Sequence, residues 1–227
     1  MKRIHWVIAL TLCLGIGLTS CKEKTDTKEE VEGQLSSTDE NATAAESLNY
    51  AVNTKTSKVM WKGSKPLGSH SGTINLYSGN FKMTNGNITS GKISINMHTI
   101  TNTDLEAGNG KENLEAHLKG TVEGKEGDFF NVMEYPAANF EVTNVLEKGG
   151  ATYLEGNLTI KDKVNPISFP ITITPEGKSM TIKSEPFIID RTNWGIHFMS
   201  KSIFDNLGEN FISDDIEISF ELKAIEY

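Results

Sequence analysis

The side chains best equipped for chemistry in this 227-residue chain do not gather in sequence. His70, His98, His117 and His197 offer metal ligation and general-base chemistry. No two of them lie three to five residues apart, and there is no His-Glu-x-x-His. The carboxylates Asp104, Glu106, Asp190, Asp214 and Asp215 fall at predicted strand ends or in loops, where solvated charge is the ordinary condition. A glycosidase would need a second carboxylate fixed opposite the first, and nothing in the spacing supplies it. No serine occupies a Gly-x-Ser-x-Gly elbow, and there is no phosphate-binding glycine loop. Metal and cofactor chemistry are not expected. Catalysis reduces to one alternative, His117 or His197 working with an acidic partner.

Arg191, in Asp190-Arg191-Thr192-Asn193-Trp194-Gly195, carries two readings. It is either the partner of a nearby carboxylate or a cation at the mouth of an apolar cavity, meeting a polar head group. Cysteine chemistry is confined to the N-terminus. Met1-Lys2-Arg3 precedes an apolar run ending Leu18-Thr19-Ser20-Cys21, a pattern expected of a secretory signal over residues 1–20 with Cys21 in a lipobox-like position. Cys13 would leave with the signal and Cys21 would be acylated. No thiol would then remain for a disulfide or a zinc site. Residues 21–47 are polar apart from Val31 and Leu35 and are expected to be a flexible tether. Lys22 follows the presumed lipid site, which favours the outer membrane of the cell envelope. Without Lys2 and Arg3, 20 basic face 30 acidic side chains, moving the formal charge from −8 to −10. An acidic chain without a basic, aromatic-studded patch excludes nucleic acid as partner.

The elements that must position these residues are strands. Ile93, Ile95 and Met97 alternate with Lys92, Ser94 and Asn96. Leu154, Leu158 and Ile160 share a phase with Gly156, and so do Ile167, Phe169, Ile171 and Ile173. Ile216, Ile218, Phe220 and Leu222 alternate with Glu217, Ser219 and Glu221. One dry and one wet face per strand is the mark of antiparallel sheet. Hairpin turns are predicted at Asn85-Gly86, Gly149-Gly150, Asp162-Lys163 and Pro175-Glu176-Gly177, and a break at Ser184-Glu185-Pro186. Two segments interrupt the rhythm. Residues 104–135 hold a short helix around Leu114 and Leu118, then an aromatic turn at Asp128-Phe129-Phe130. Residues 191–212, with Trp194, Phe198, Phe204, Leu207 and Phe211, are expected to fold back as a lid or plug.

Several of these residues together resemble the YceI-like family of bacterial lipid-binding proteins. They are Val59-Met60-Trp61, residues 113–118 ending His117-Leu118, Asp128-Phe129-Phe130 with Tyr135-Pro136 and Phe140, Gly156-Asn157-Leu158-Thr159-Ile160-Lys161 with Pro166, and Arg191 with Trp194-Gly195-Ile196. The resemblance covers residues 50–224. It implies an all-β fold over residues 48–227: an extended eight-stranded antiparallel barrel resembling a lipocalin, with a short helix in a long crossover. It further implies an apolar cavity for a polyisoprenoid, quinone-like lipid or fatty amide. Residues 119–127 are longer than the family usual and are expected to extend a loop at the barrel mouth. Expected lining residues are Trp61, Ile93, Ile95, Phe129, Phe130, Phe140, Leu158, Phe169, Ile171, Phe187 and Phe220, with Arg191 and His117 as head-group contacts. The expected role is a lipid-binding envelope lipoprotein, periplasmic or surface-facing, whose partners are the lipid and the membrane through its anchor. A homodimer is compatible with this. The alternative is a solid-cored interaction module, which requires an interior filled to normal packing density.

Overall fold

The computed structural model describes residues 46–227. Residues 1–20, Cys21 and nearly all of the expected tether lie outside the described residues. The chain forms β1 (Ser47–Val52), β2 (Lys58–Lys65), β3 (Gly68–Ile74), β4 (Leu76–Thr84), β5 (Asn87–Asn96) and β6 (Thr101–Asn102). After β6 come helix α1 (Lys111–Lys119), β7 (Ala137–Lys148), β8 (Ala151–Ile160), β9 (Lys163–Glu176), β10 (Ser179–Ser184), β11 (Phe187–Asp190) and β12 (Asp215–Glu226). All pairings among these strands are antiparallel.

The twelve segments make eight staves, because four staves are broken. β1 and β2 lie end to end along one side of β12, and β10 and β11 along its other side. β3 and β4 form one bent stave, and β5 with β6 runs beside it. β7, β8 and β9 are continuous, and the β1–β12 pairing closes the ring. Closure of the eight-stranded barrel leaves only the short strands β6 and β11 paired on one side alone, and an interior about one slender ligand wide.

Each break leaves backbone groups that need another partner, and at three of the four a hydroxyl supplies it. Between β1 and β2, the buried Ser57 hydroxyl accepts the Lys223 N–H at 2.9 Å. Between β10 and β11, the Ser184 hydroxyl accepts the Phe220 N–H at 3.0 Å, at the break predicted from Pro186. Between β3 and β4, the Thr99 hydroxyl accepts the Asn75 N–H at 2.8 Å.

The two barrel ends differ. Tight turns close one end: Asn85-Gly86 and Gly149-Gly150, all with positive φ as a hairpin of that type requires, and Gly177-Lys178. The last of these lies a residue later than expected, because Pro175 and Glu176 extend β9. The β8–β9 turn is Lys161-Asp162, with φ of 55° at Lys161, one residue earlier than expected. The β2–β3 hairpin, the 103–136 crossover and the 191–214 connection gather at the other end, the mouth. The crossover contains α1, held between left-handed glycines at Gly110 and Gly120.

Candidate functional site

Inward side chains do not fill the barrel. A cavity of about 300 Å³ remains, lined by Trp61, Ile93, Ile95, Phe129, Phe130, Phe140, Leu158, Phe169, Phe187 and Phe220 among others. All ten belong to the set of expected lining residues. Ile171 is buried but does not line the cavity. It shares the inward phase of Phe169 yet sits one pair lower, opposite Thr152, towards the closed end. A packed, solid-cored barrel does not describe this interior.

Aromatic rings shape the lumen. Phe169 is the hub: Phe187 stacks on it with centroids 4.3 Å apart, while Phe140 and Phe220 approach at 5.5 Å each. The largest rings lie back against glycines of the neighbouring stave. Trp61 pairs with Gly72 and Phe81 with Gly91. A Cβ added at Gly91 would meet the Phe81 ring at 2.5 and 2.8 Å. Glycine at these positions lets the ring lie flat against the wall instead of crossing the lumen. Phe81, Leu154 and Leu222 line the tail end of the cavity, and Leu114 and Leu118 of α1 line it near the mouth. Phe81 and the two leucines were not among the expected lining residues. The i, i+4 spacing of Leu114 and Leu118 on a helix was the signal available for the latter pair.

Arg191 lines the cavity but is only 2% exposed. Its Nε donates to Ser213 O at 2.9 Å, Nη1 to Ile196 O at 2.8 Å and Nη2 to Ile212 O at 3.0 Å. Nη2 also lies 3.5 Å from Asp214. Burial pushes the guanidinium down from its ordinary pKa, while Asp214 and Asp190 oppose that shift. Burial likewise pushes the Asp214 carboxyl up, but hydrogen bonds from Ser200 and Ser202 and the Arg191 charge hold it below the usual carboxylate range. Of the two sequence readings, the ion pair is present, and three carbonyls are added to it. Arg191 ties the two ends of the 191–212 connection together. Trp194 fastens the connection to the barrel, its Nε1 donating to Leu158 O of β8 at 3.0 Å. Phe204 of this connection turns outward instead, 48% exposed.

His117, the second expected head-group contact, is not among the lining residues. Its Nε2 lies 2.7 Å from Asp128 Oδ2, and its ring packs edge-on against Phe129 and Phe198, both at 5.0 Å. That tie joins α1, the aromatic turn and the 191–212 connection. The pair is a histidine beside a carboxylate, yet rings cover two sides of it and it does not face the cavity. His197 Nε2 lies 3.3 Å from Thr192 O. Met133 of the aromatic turn is 74% exposed, so this turn does not bury all of its large apolar side chains. Among the described residues no three His, Cys, Asp or Glu side chains converge on a metal position.

The sequence profile of the YceI-like domain matches residues 50–224. A UPF0312 protein of Shewanella denitrificans is 26% identical over 140 residues, 60% of this chain and 68% of that one. One of Yersinia pestis is 28% identical over 106 residues, 47% of this chain and only 50% of its own length. Among solved structures, Burkholderia cenocepacia BcnA superposes with a TM-score of 0.59 at 20% identity, covering 76% of this chain and 98% of that one. A polyisoprenoid binding domain from Saccharophagus degradans, implicated in plant cell wall breakdown, gives a TM-score of 0.56 at 13% identity, covering 79% and 99%. Both establish the shared barrel fold. With the profile spanning most of its length, the chain belongs to the YceI-like family.

Proposed function

We propose that this protein binds, rather than transforms, one apolar lipid chain inside the barrel, and does so in the cell envelope on a Cys21 lipid anchor. The observation that carries the binding reading is the apolar lumen of about 300 Å³. Family membership and the polyisoprenoid binding named for the Saccharophagus domain support it. The signal-like N-terminus and its lipobox-like cysteine support the envelope location.

The volume limits the ligand. A cavity of ~150 Å³ takes one benzene ring, so this lumen holds on the order of a dozen carbons. Burying them contributes roughly 10 kcal/mol at ~0.8 per carbon. Association costs of about 4 kcal/mol or more reduce that, which places Kd near tens of micromolar at best for such a chain. A fatty amide or a few isoprene units fit entirely. A long polyisoprenoid or quinone tail would project its remainder through the mouth.

The test is lipid extraction of the whole protein isolated from its own membranes, followed by mass spectrometry. A single-chain lipid enriched clearly above its level in a control envelope protein isolated alongside is the expected result. Repeated recovery of none, with the barrel folded, overturns the reading.

A further inference from the structure

Four connections surround the mouth, and they carry five of the nine large apolar side chains that the described residues leave in water. Leu67, at the tip of the β2–β3 hairpin, is 83% exposed. Val164 is exposed at the start of β9, Met133 on the crossover, and Ile203 and Phe204 on the 191–214 connection. The tight turns of the closed end carry none, and only Ile225 and Tyr227, among the last residues of the chain, are exposed near that end. Exposed apolar residues scattered singly need no explanation, but a concentration at one end marks an interaction site. The lumen opens at this same end, where Ser64, Lys65, His70 and Ser213 line it.

Hydrogen bonds hold three of the four connections side by side. The Ser213 N–H donates to Ser64 O at 2.8 Å, fastening the 191–214 connection to the β2–β3 hairpin. On its other flank, the side-chain N–H of Asn165 on β9 donates to Asn193 O at 3.1 Å. Leu67, Ile203, Phe204 and Val164 thus share one sector of the rim. Lysines punctuate it: Lys65 precedes Leu67, Lys201 precedes Ile203, and Lys161 and Lys163 precede Val164. None of the four takes part in an ion pair among the described residues. A lysine stem can lie along apolar surface while its ammonium reaches a polar layer.

Charge separates this sector from the rest of the rim. Residues 103–136 carry three lysines and eight carboxylates, a net −5. Residues 65–68, 161–164 and 191–214 together carry five basic and four acidic side chains, a net +1 in a chain of −8. The sector is therefore the part of the mouth least repelled by an anionic surface. Its apolar side chains stand on separate loop tips beside lysines. That arrangement suits a surface that deforms around each tip, as a lipid interface does and a folded protein does not.

We propose that Leu67, Val164, Ile203 and Phe204, with their flanking lysines, dock the mouth onto the surface of a lipid bilayer. The apolar side chains enter the head-group layer and the ammoniums meet lipid phosphates, while the acidic crossover tilts away. Docking brings the opening of the lumen against the bilayer. It does not depend on what fills the lumen, since a barrel can hold a lipid without touching a membrane. The proposed anchor permits it. Ser47 opens β1 at the closed end, so the chain enters the barrel away from the rim. Residues 22–45 number 24 and span at most roughly 80 Å, about twice the ~40 Å of the 12-residue β12.

The experiment places pyrene on the whole, membrane-anchored chain at one introduced cysteine, Leu67→Cys on the rim or Tyr227→Cys at the closed end. The described residues contain no cysteine of their own, and signal from the unsubstituted chain is subtracted. The protein is reconstituted in vesicles of phosphatidylethanolamine and phosphatidylglycerol carrying a nitroxide-labelled lipid, which quenches pyrene on contact. Quenching of the Leu67→Cys label should exceed that of the Tyr227→Cys label several-fold. Adding Ile203→Ser with Phe204→Ser should weaken docking on the order of tenfold or more, as withdrawing two large side chains from an apolar layer allows. Lys65→Gln with Lys201→Gln should weaken it several-fold and reduce its sensitivity to about 1 M salt. Ile188→Ser, on the outer wall, should leave it intact. Equal quenching of the two labels, or quenching of neither, overturns the docking surface and leaves the lumen reading standing. A difference that survives Ile203→Ser with Phe204→Ser also overturns it. Excimer emission from the Leu67→Cys label overturns it in favour of two copies meeting mouth to mouth.

Discussion

Gly91→Ala tests whether the lumen sets the length of the bound chain. Gly91 has ordinary backbone geometry, with no positive φ. A Cβ there would lie 2.5 and 2.8 Å from the Phe81 ring and 3.1 Å from Val142 Cγ2, so its three nearest neighbours are all side-chain atoms. Carbon–carbon contacts settle at about 3.5–4.0 Å, so the ring must retreat by roughly 1 Å. Phe81 lines the tail end of the cavity, and the space open to it is the lumen. Overpacking costs about 1–3 kcal/mol, and replacing a strand glycine offsets roughly 0.5–1 of that. The net loss of stability is therefore small, on the order of 1 kcal/mol, and the variant folds. Its lumen shortens by roughly two carbons. At ~0.8 kcal/mol each, that weakens binding of a twelve-carbon chain by about 1.6 kcal/mol, on the order of 15-fold. The assay is a titration series of carboxylates from eight to sixteen carbons with native protein and variant. The optimum should move to a shorter chain in the variant. A folded variant with unchanged optimum and unchanged affinity would refute the inference that the tail lies against Phe81.

Two further predictions concern the groups that hold the mouth together. Arg191→Met removes the donor shared by three carbonyls and leaves Asp214 facing an apolar side chain. Urea unfolding should show a loss of about 3–5 kcal/mol, and an unchanged midpoint would show that the tie is dispensable. For Asp104, burial pushes the carboxyl up, but hydrogen bonds from the Ser71 N–H, His70 and Asn102 outweigh that and hold it at about 2. The depressed value means its stabilising contribution is fully present above the ordinary carboxylate range and is lost as pH falls through 2. Melting scans should therefore find Asp104→Asn less stable than the native protein at pH 6, with the gap closing between about pH 4 and pH 2. A gap that stays constant to pH 2 would contradict the assignment.

Much of the wall was legible because alternation states which face of a strand is dry. Ile93, Ile95, Phe169 and Phe220 follow directly from it. Alternation does not state depth, and Ile171 shows the consequence: it points inward but lies below the lumen, where buried side chains fill the space. Four breaks divide the staves, and only the one at Pro186 carried a sequence signal. Two of the others depend on the hydroxyls of Ser57 and Thr99 meeting backbone groups far away in sequence. The polar end of the cavity was illegible for a similar reason. Ser64, Lys65, His70 and Ser213 come from two hairpin strands and a connection more than 140 residues away, and only barrel closure joins them. Arg191 was singled out from its sequence context, but composition gave no hint of the three carbonyls that engage it.

Strand β12 pairs with four others, β1 and β2 on one flank and β10 and β11 on the other. A nascent chain that has released everything up to residue 214 therefore still carries two raw edges, facing each other across a gap. Their backbone groups are open to any stray extended segment. Completion depends on contacts of very large sequence separation, formed after the rest of the wall exists, and such topologies fold slowly. The interval before the last stave docks is the period of greatest exposure to aggregation, and a holding chaperone would matter most then.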